Sequence, residues 1–290
     1  MTYFRKVNLP TDCRDIYACG DWHIGDVFYE PKAVERWLAY LNDHDPGVVF
    51  LMGDLGRYFP YSDRLNRMDE TALTDWPSPA VQLQEVERII QEIPEQHHIF
   101  LHHGNHENHW FREGGNQYHA LAQRTGVDYV GYQAAVLLHW PGRYTRILST
   151  HGHKSIPFSG SFDPQIQDRH RANARIAMRR MLTKIDRAAS DMYFVAHTHK
   201  CDHAWPSRVI QMVNTGTRFV ERENYIKEVT HPVWCYNTGS CTKSFPPSTT
   251  TYAEEAMYGP SDLEFVHVRL DDKDKKPDPA WYQKELVTLG

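Results

Sequence analysis

The sequence predicts an α/β fold, because short apolar segments alternate along it with segments of helical periodicity. The apolar runs each stop at a polar or glycine-containing turn, and they are Ile16 to Cys19, Val48 to Met52, Ile99 to Leu101, Ile147 to Leu148 and Met192 to Ala196. Runs of this kind are typical of strands that are buried on both faces of a largely parallel or mixed sheet. Strand, helix, strand is therefore the expected order.

The segments between the apolar runs show helical periodicity. They are Pro31 to Leu41, Ala80 to Ile93, Asn116 to Thr125 and the long stretch Gln165 to Ala189. From about Val209 the sequence becomes rich in strand-like segments, namely VIQMV, PVWCYN and LEFVHVRL, which are separated by Gly, Pro and Ser/Thr clusters. We expect these segments to be antiparallel strands that close a sheet.

The chain shows no internal repeat and no convincing linker, so residues 1–290 are expected to form a single domain. Two polar excursions are expected to leave its core, at about 57–79 and at about 154–190. Loops of such length in compact domains are usually functional or mobile. A charged C-terminal tail is expected from about residue 271, where the sequence DDKDKKPDP is broken by prolines.

The composition excludes several classes of protein. With 41% hydrophobic and 12% aromatic residues the chain can build a core, which excludes wholesale disorder. No apolar run approaches the roughly 20 residues of a membrane span. The first residues lack the apolar core of a secretory signal, and the cysteines are five, scattered and without a CxxC pair. These features predict a soluble cytoplasmic protein with reduced thiols.

Charge and histidine content narrow the function further. The net charge of −5 excludes a global basic field of the kind that nucleic-acid-binding proteins carry, so any such affinity must be local. Eighteen histidines are many for a chain of 290 residues. Because histidine is the commonest metal ligand, their positions decide the interpretation.

Potential metal ligands follow each of the five apolar runs. They are Asp21 and His23, then Asp54, then Asn105 followed by His106, then His151, and finally His197 and His199. Carboxyl ends of parallel strands are where α/β sheets place their ligand sites, so these side chains are expected to converge. The D-x-H and H-x-H spacings would point both side chains of each pair to one side of an extended chain.

The number of these donors indicates the kind of metal site. Each short motif alone is common by chance, and it is the ordered set behind five strands that predicts the site. Seven oxygen and nitrogen donors are too many for one tetrahedral zinc ion, and they suit a two-metal centre.

This ordered set resembles the motifs of the calcineurin-like metallophosphoesterase superfamily, which includes phosphatases, cyclic-nucleotide phosphodiesterases and nucleases. The resemblance covers residues of about 15 to 240. It implies a four-layer α/β/β/α sandwich with two mixed sheets. Two positions depart from the usual pattern. Asp54 is followed by Leu55-Gly56-Arg57 rather than by a second aspartate, which argues against the Ser/Thr protein phosphatases, and Ala196 stands where glycine is usual.

Carried over residue by residue, the resemblance implies two ligand sets. Asp21, His23 and His199 would bind one ion, Asn105, His151 and His197 the other, and Asp54 would bridge both. The catalytic residues would be Asp54 and His106, with His106 facing the scissile phosphate as a general acid or an electrostatic clamp. We expect two divalent metal ions, Mn²⁺ first, with Fe or Zn²⁺ as alternatives.

The expected activity is hydrolysis of phosphoric esters by a metal-bridged hydroxide, and the favoured substrates are phosphodiesters of nucleotides or nucleic acid. The segment from Ile166 to Ala189 carries seven basic and two acidic residues. Its Arg171, Arg175 and Arg179 are candidates for contact with a phosphate backbone, although an arginine-rich solvated helix face is the alternative. His109 and Trp110, after the GNHE turn, are further candidates for substrate contact.

Two other functions stay open. One is a small-molecule phosphomonoesterase, and the other is a non-catalytic scaffold of the same fold. The expected partners are a phosphate ester substrate and, as a candidate, nucleic acid, with no membrane partner. The oligomeric state does not follow from the sequence.

Overall fold

The computed structural model describes residues 3–10, 13–58, 75–141, 143–152, 190–199, 201–204, 208–214, 219–225, 234–242, 263–270 and 282–288. The helix predicted over Gln165 to Ala189 lies outside these residues, and so do Arg171, Arg175 and Arg179. Most of the predicted excursion at about 57–79 and nearly all of that at about 154–190 lie outside them as well.

The described residues form four helices and fourteen strands. The helices are α1 (Pro31–Asn42), α2 (Pro79–Glu92), α3 (Asn105–Gly114) and α4 (Gln117–Thr125). The strands are β1 (Tyr3–Asn8), β2 (Asp15–Cys19), β3 (Gly47–Leu51), β4 (His98–His102), β5 (Asp128–Gly131), β6 (Gln133–Trp140), β7 (Arg143–Thr150), β8 (Met192–Val195), β9 (Cys201–Ala204), β10 (Arg208–Asn214), β11 (Phe219–Tyr225), β12 (Trp234–Thr238), β13 (Glu264–Leu270) and β14 (Tyr282–Thr288). The five predicted apolar strands are therefore confirmed as β2, β3, β4, β7 and β8.

The strands form two large mixed sheets. One has the order β14-β13-β2-β3-β4-β5, with β2 to β5 parallel and β13 antiparallel to β2. The other has the order β1-β6-β7-β8-β12-β9, in which β7, β8 and β12 run parallel. The expectation that the C-terminal strands close a sheet by antiparallel pairing is confirmed for β13. It is wrong for β12, which lies between β8 and β9 and runs parallel to β8, and for β10, which forms a separate antiparallel pair with β11.

Alternation along the strands determines the layers. Ile16 of β2 and Phe50 of β3 pack with Val136 of β6 and Phe194 of β8 in one buried cluster, so the two sheets lie face to face. The intervening residues of β2 and β3 point to the other face, where they pack against residues of α1, α2 and α4 such as Trp37. The predicted α/β fold with two mixed sheets is confirmed, with a helical layer on the outer face of the first sheet.

Local sequence signals explain where the helices begin. The Ser78 hydroxyl accepts from the backbone N–H of Val81 (3.4 Å) and Pro79 occupies the first turn, which are standard features of a helix N-terminus. The helix α3 is absent from the predicted elements, because the sequence GNHE suggests a turn beside the site. Of the four residues GNHE, Gly104 lies before the helix and the other three form its first turn, which begins at Asn105. None of the described helices is long and apolar enough to cross a membrane.

Candidate metal centre

The loops that carry the five motifs meet at one edge of the sandwich. Three of them follow β2, β3 and β4 of the first sheet, and two follow β7 and β8 of the second. Backbone hydrogen bonds join neighbouring loops: Asp21 N–H donates to Gly53 O (2.9 Å), and Ala196 N–H donates to His151 O (3.1 Å). The predicted convergence of the strand ends is therefore present.

The backbone of the motif loops is left-handed. Of the six non-glycine residues with positive φ in the described parts of the chain, five are predicted ligands, namely Asp21, His23, Asp54, His197 and His199. The expectation that the D-x-H and H-x-H pairs lie on extended chain is thus wrong. The side chains converge because tight turns follow the strands, and such conformations cost about 1–3 kcal/mol each unless the surroundings enforce them.

The first donor group joins both sheets. His23 Nε2 lies 3.0 Å from His199 Nε2, and Asp21 Oδ1 lies 3.8 and 3.7 Å from these two nitrogens. The other Asp21 oxygen accepts from the backbone N–H of His197 (2.7 Å), which fixes the carboxylate. Donor atoms bound at about 2.0–2.2 Å to one ion lie roughly 3–4 Å from each other, so this group has the spacing of a ligand set.

The second donor group contains Asp54, His151 and His197. His151 Nε2 lies 3.1 Å from Asp54 Oδ2 and 3.0 Å from Asn105 Oδ1, so the predicted amide ligand belongs to the same cluster. His151 Nδ1 lies 2.9 Å from Met52 O. A proton on Nδ1 would be donated to this carbonyl, which leaves the Nε2 lone pair directed at the cluster.

Asp54 lies between the two groups. A third set of possible ligands combines Asp54 with His23 of the first group and with His106. The Asp54 Oδ1 atom accepts from the backbone N–H of His106 (2.9 Å), and Oδ2 faces His151. All seven predicted ligands and His106 are thus within one cluster, arranged around a buried carboxylate.

The buried carboxylate of Asp21 indicates that the cluster can hold a cation. Among the described residues Asp21 Oδ1 has no hydrogen-bond donor, although the side chain is fully buried. A buried carboxylate oxygen without a partner is costly. A divalent ion beside His23 and His199 would supply the missing positive partner, and imidazole with carboxylate is a donor set that Mn²⁺, Fe and Zn²⁺ accept. The residues therefore fit a metal ion.

Burial and neighbouring charges set the protonation of the cluster. Burial raises the pKa of Asp21 to about 8 and lowers that of His199 to about 3. Burial also opposes a charge on His151, but the nearby Asp54 carboxylate outweighs it and raises the pKa of His151 to about 10. In the metal-free protein a proton on His151 thus supplies the positive charge that a bound cation would replace.

His106 is positioned beside the ligands at the first turn of α3. Its Nδ1 lies 3.0 Å from Arg57 O, and its Nε2 lies 3.8 Å from Asp54 Oδ2. The side chain is 16% exposed, in contrast to the fully buried His151. The Nε2 atom is thus the one that a molecule bound at the cluster would meet.

Glu107 has a structural role that the sequence reasoning missed. Its carboxylate accepts from the backbone N–H groups of Asp54 (3.0 Å), Leu55 (2.8 Å) and Gly104 (2.8 Å) and from the Tyr118 hydroxyl (2.7 Å). Burial and the Asp54 charge raise the pKa of Glu107 to about 7, against the effect of these donors. Glu107 therefore holds the Asp54 loop against α3. In the sequence this residue is visible only as the glutamate that ends the motif GNHE.

Two glycines allow the loops to approach closely. Gly53 has φ +90°, and a Cβ there would lie 2.5 Å from Gly104 N. A Cβ on Gly104 would lie 2.1 Å from Asp54 Oδ1. Any side chain at Gly104 would therefore displace the carboxylate at the middle of the cluster.

Polar residues at the end of β12 and directly after it also support the cluster. The Ser240 hydroxyl donates to Asp21 O (2.8 Å), and Thr242 Oγ1 lies 3.4 Å from His199 Nδ1. Asn237 donates to the Thr198 hydroxyl between the two histidines of the last motif. In the sequence these residues form the small polar run NTGSCT. The run contains no aspartate, glutamate or histidine, so nothing in it indicated a role at a metal site.

Similarity to known proteins is found at the level of a family. No curated protein matches the sequence. Among solved structures, the chain is similar to a conserved uncharacterized protein from Streptococcus pneumoniae TIGR4, described as a predicted phosphoesterase, with 14% identity, a TM-score of 0.33, and coverage of 94% of this chain and 98% of that chain. The profile of the calcineurin-like phosphoesterases matches residues 15–201, a range that contains all five motifs. The chain therefore belongs to the calcineurin-like phosphoesterase family.

Proposed function

We propose that this protein hydrolyses phosphoric diesters in nucleotides or nucleic acid with the help of two divalent metal ions. The observation that carries the proposal is the position of Asp54, whose carboxylate lies within ligand distance of His23 from the first donor group and of His151 and His197 from the second. A shared carboxylate between two ligand sets is the arrangement expected of a two-metal site. Mn²⁺ is the first candidate, and Fe and Zn²⁺ are the alternatives.

The ligands divide as the motifs suggest. Asp21, His23 and His199 would hold one ion and Asn105, His151 and His197 the other, with Asp54 between them. When bound, the ions would lower the pKa of a coordinated water and neutralise charge on the phosphate oxygens. The chain's own contribution is to fix these donors on turns that are held by hydrogen bonds of the kind described for Asp21 and Glu107.

His106 would act on the leaving group. A proton on its Nδ1 can be donated to Arg57 O, which orients the ring and directs Nε2 to the substrate. In the imidazolium form, Nε2 would give its proton to the departing alkoxide, and general-acid catalysis of this kind contributes about 10²–10⁴ in rate. His106 also lies within ligand distance of Asp54 and His23, so a ligand role is the competing assignment.

A cleft beside the metal ligands has room for both substituents of a diester. It measures about 390 Å³ and Asn105 forms one of its walls. A diester has two substituents on phosphorus and needs space for both.

The predicted contacts of Arg171, Arg175 and Arg179 with a phosphate backbone remain part of the proposal, and so does a cytoplasmic location. Neutralising all three should reduce the slope of log K against log salt concentration for single-stranded nucleic acid, by about 0.7 for each lost phosphate contact.

The test is a substrate panel with protein loaded with Mn²⁺, Fe²⁺ or Zn²⁺. It contains bis-p-nitrophenyl phosphate, cyclic nucleotides, single- and double-stranded DNA, and p-nitrophenyl phosphate. We expect kcat/KM to be higher for the diesters than for the monoester. Hydrolysis of the monoester alone would indicate the small-molecule phosphomonoesterase, and metal binding without any hydrolysis would indicate the scaffold.

A further inference from the structure

One face of α3 continues the metal centre into the neighbouring cleft. Asn105, Asn108, His109 and Arg112 all line this cleft of about 390 Å³. Their positions are i, i+3, i+4 and i+7, which share one side of a helix. The first of them is a predicted metal ligand, so the row starts at the centre and leads away from it.

The other side of α3 is committed to the core. Glu107 is fully buried under the Asp54 loop, and Trp110 stacks on the buried ring of Tyr58 with the ring centroids 4.8 Å apart. Trp110 is partly buried and packs against this core on the side of α3 that does not line the cleft. His109, the other residue considered from the sequence, lies in the cleft.

Tyr132 forms the wall of the cleft opposite α3. Its hydroxyl donates to Gly152 O, in the loop of the ligand His151. Its ring contacts the His151 ring at 5.9 Å and the His103 ring at 5.7 Å between centroids. The wall is thus held by the same loop that carries the candidate ligand His151, so the cleft directly adjoins the centre.

The lining of the cleft favours an anion. The described residues that line it are two amides, an imidazole, a guanidinium and a phenol, and none of them is a carboxylate. Arg112 is exposed and pairs with no carboxylate of the described residues. A guanidinium with its donors available is suited to bidentate binding of phosphate or carboxylate.

We infer that Arg112 binds a second phosphate of the substrate, next to the ester that is cleaved. Seven residues of helix separate it from Asn105, which is roughly 10 Å at 1.5 Å per residue. A nucleotide unit with its own phosphate can span the two positions, whereas a simple alkyl or aryl ester carries no second anion for the guanidinium to bind. The inference rests on the proposed function, and it specifies the substrate as a diester with a neighbouring phosphate.

The test compares thymidylyl-thymidine with the same dinucleotide carrying a terminal phosphate at its 5′ or 3′ end. The readout is kcat/KM for cleavage of the internal diester by Mn²⁺-loaded protein. We expect a preference of about tenfold or more for one phosphorylated form, as one charge-assisted hydrogen-bond pair supplies. R112Q should reduce this ratio to near one, and R112K should keep part of it, since lysine retains the charge but not the planar fork.

R124Q is the matched control. Arg124 has an equally exposed guanidinium that pairs with Glu87 and does not line the cleft, so the ratio should stay at the wild-type value. A wild-type ratio near one, or an unchanged ratio in R112Q, overturns the inference while the proposed function stands.

A binding measurement separates the two proposals. Calorimetry should show tighter binding of thymidine 3′,5′-bisphosphate than of thymidine 5′-monophosphate, and R112Q should remove the difference. If no ester is hydrolysed but this difference is present, the proposed function fails and the phosphate site remains. Equal affinity of both ligands for the wild type overturns the site.

Discussion

At the scale of single residues, Asp54 is the side chain that the two halves of the candidate centre share. We expect about two ions per chain in the loaded wild type, and a lower content of both in Asp54→Ala. The reason is that the Asp54 carboxylate lies within ligand distance of His23 in one donor group and of His151 in the other. Elemental analysis after desalting gives the stoichiometry. Asp45→Ala, which removes an exposed carboxylate paired with Arg269, is the control. Retention of both ions by Asp54→Ala would contradict the shared ligand.

His106 distinguishes an acid from a ligand. His106→Ala should keep the metal content near that of the wild type and lower kcat most for esters with poor leaving groups, because these need protonation. Rates on bis-p-nitrophenyl phosphate, whose leaving group is activated, should fall less. The comparison of kcat across leaving groups of rising pKa is the measurement. Loss of metal in this variant would instead make His106 a ligand.

Glu107 is expected to matter for stability as well as for metal content. In Glu107→Gln an amide N–H₂ replaces one oxygen and faces backbone donors, which leaves at least one of them unsatisfied. The free energy of unfolding of the metal-free protein should fall by about 1–3 kcal/mol. Urea denaturation measures it. Glu92→Gln removes an exposed pair with Arg88 and should change stability by no more than about 0.5 kcal/mol.

The pKa values predict proton release on metal binding. At pH 7, His151 is below its pKa of about 10 and Asp21 is below its pKa of about 8, so both hold protons that a cation must displace. Metal affinity should therefore rise between pH 6 and pH 8. Calorimetry in two buffers of different ionisation enthalpy counts the released protons. An affinity that is independent of pH in this range would exclude these two groups as proton sources.

The sequence was enough to identify the ligand types but not the residues that hold them. Aspartate and histidine after a buried strand are recognisable because few other functions need them there. Ser240, Thr242 and Asn237 act only through contacts with distant loops, and such contacts have no local signature. The prediction that Asp21 and His23 lie on extended chain was wrong because the spacing of two residues does not distinguish an extended pair from a left-handed turn.

At the scale of secondary-structure elements, the loops after β3 and β4 depend on each other. Gly104→Ala should push the Asp54 carboxylate out of position, since the added Cβ would lie 2.1 Å from Oδ1. We expect loss of metal and of activity, with α3 retained in the far-ultraviolet circular dichroism spectrum. Gly114→Ala on the same helix is the control, because the nearest described side-chain atoms, on Gln117 and Trp110, would lie 3.8 Å from its Cβ. Normal metal content in Gly104→Ala would contradict the close approach.

Elements were predictable where one physical signal dominated. The buried strands β2, β3, β4 and β8 are continuous apolar runs, and α1, α2 and α4 have one apolar face. In contrast, β6 alternates buried with half-buried residues, so its pattern is weaker than that of the other strands. The helix α3 was missed because its first residues are polar and belong to the candidate metal centre, and its apolar face contains only Trp110 and Phe111.

At the scale of the whole molecule, the partition of the strands between two sheets could not be derived from the sequence. The five apolar runs look alike, yet three belong to one sheet and two to the other. Only long-range pairing, such as that of β13 with β2, decides the sheet to which a strand belongs. The resemblance of the motifs supplied the two-sheet arrangement that periodicity did not.

The sharing of the candidate centre between the two sheets has a consequence for breathing motions of the protein. A cation held by His23 and His199 would cross-link positions 176 apart in the chain, one at the end of each sheet. Closing a loop of that length costs only slightly more entropy than closing a shorter one. Any fluctuation that parts the sheets at this edge would have to rupture the cross-link. Separation of the two sheets at this edge and dissociation of the cation would therefore occur together. Removal of the cation by a chelator would make this separation easier.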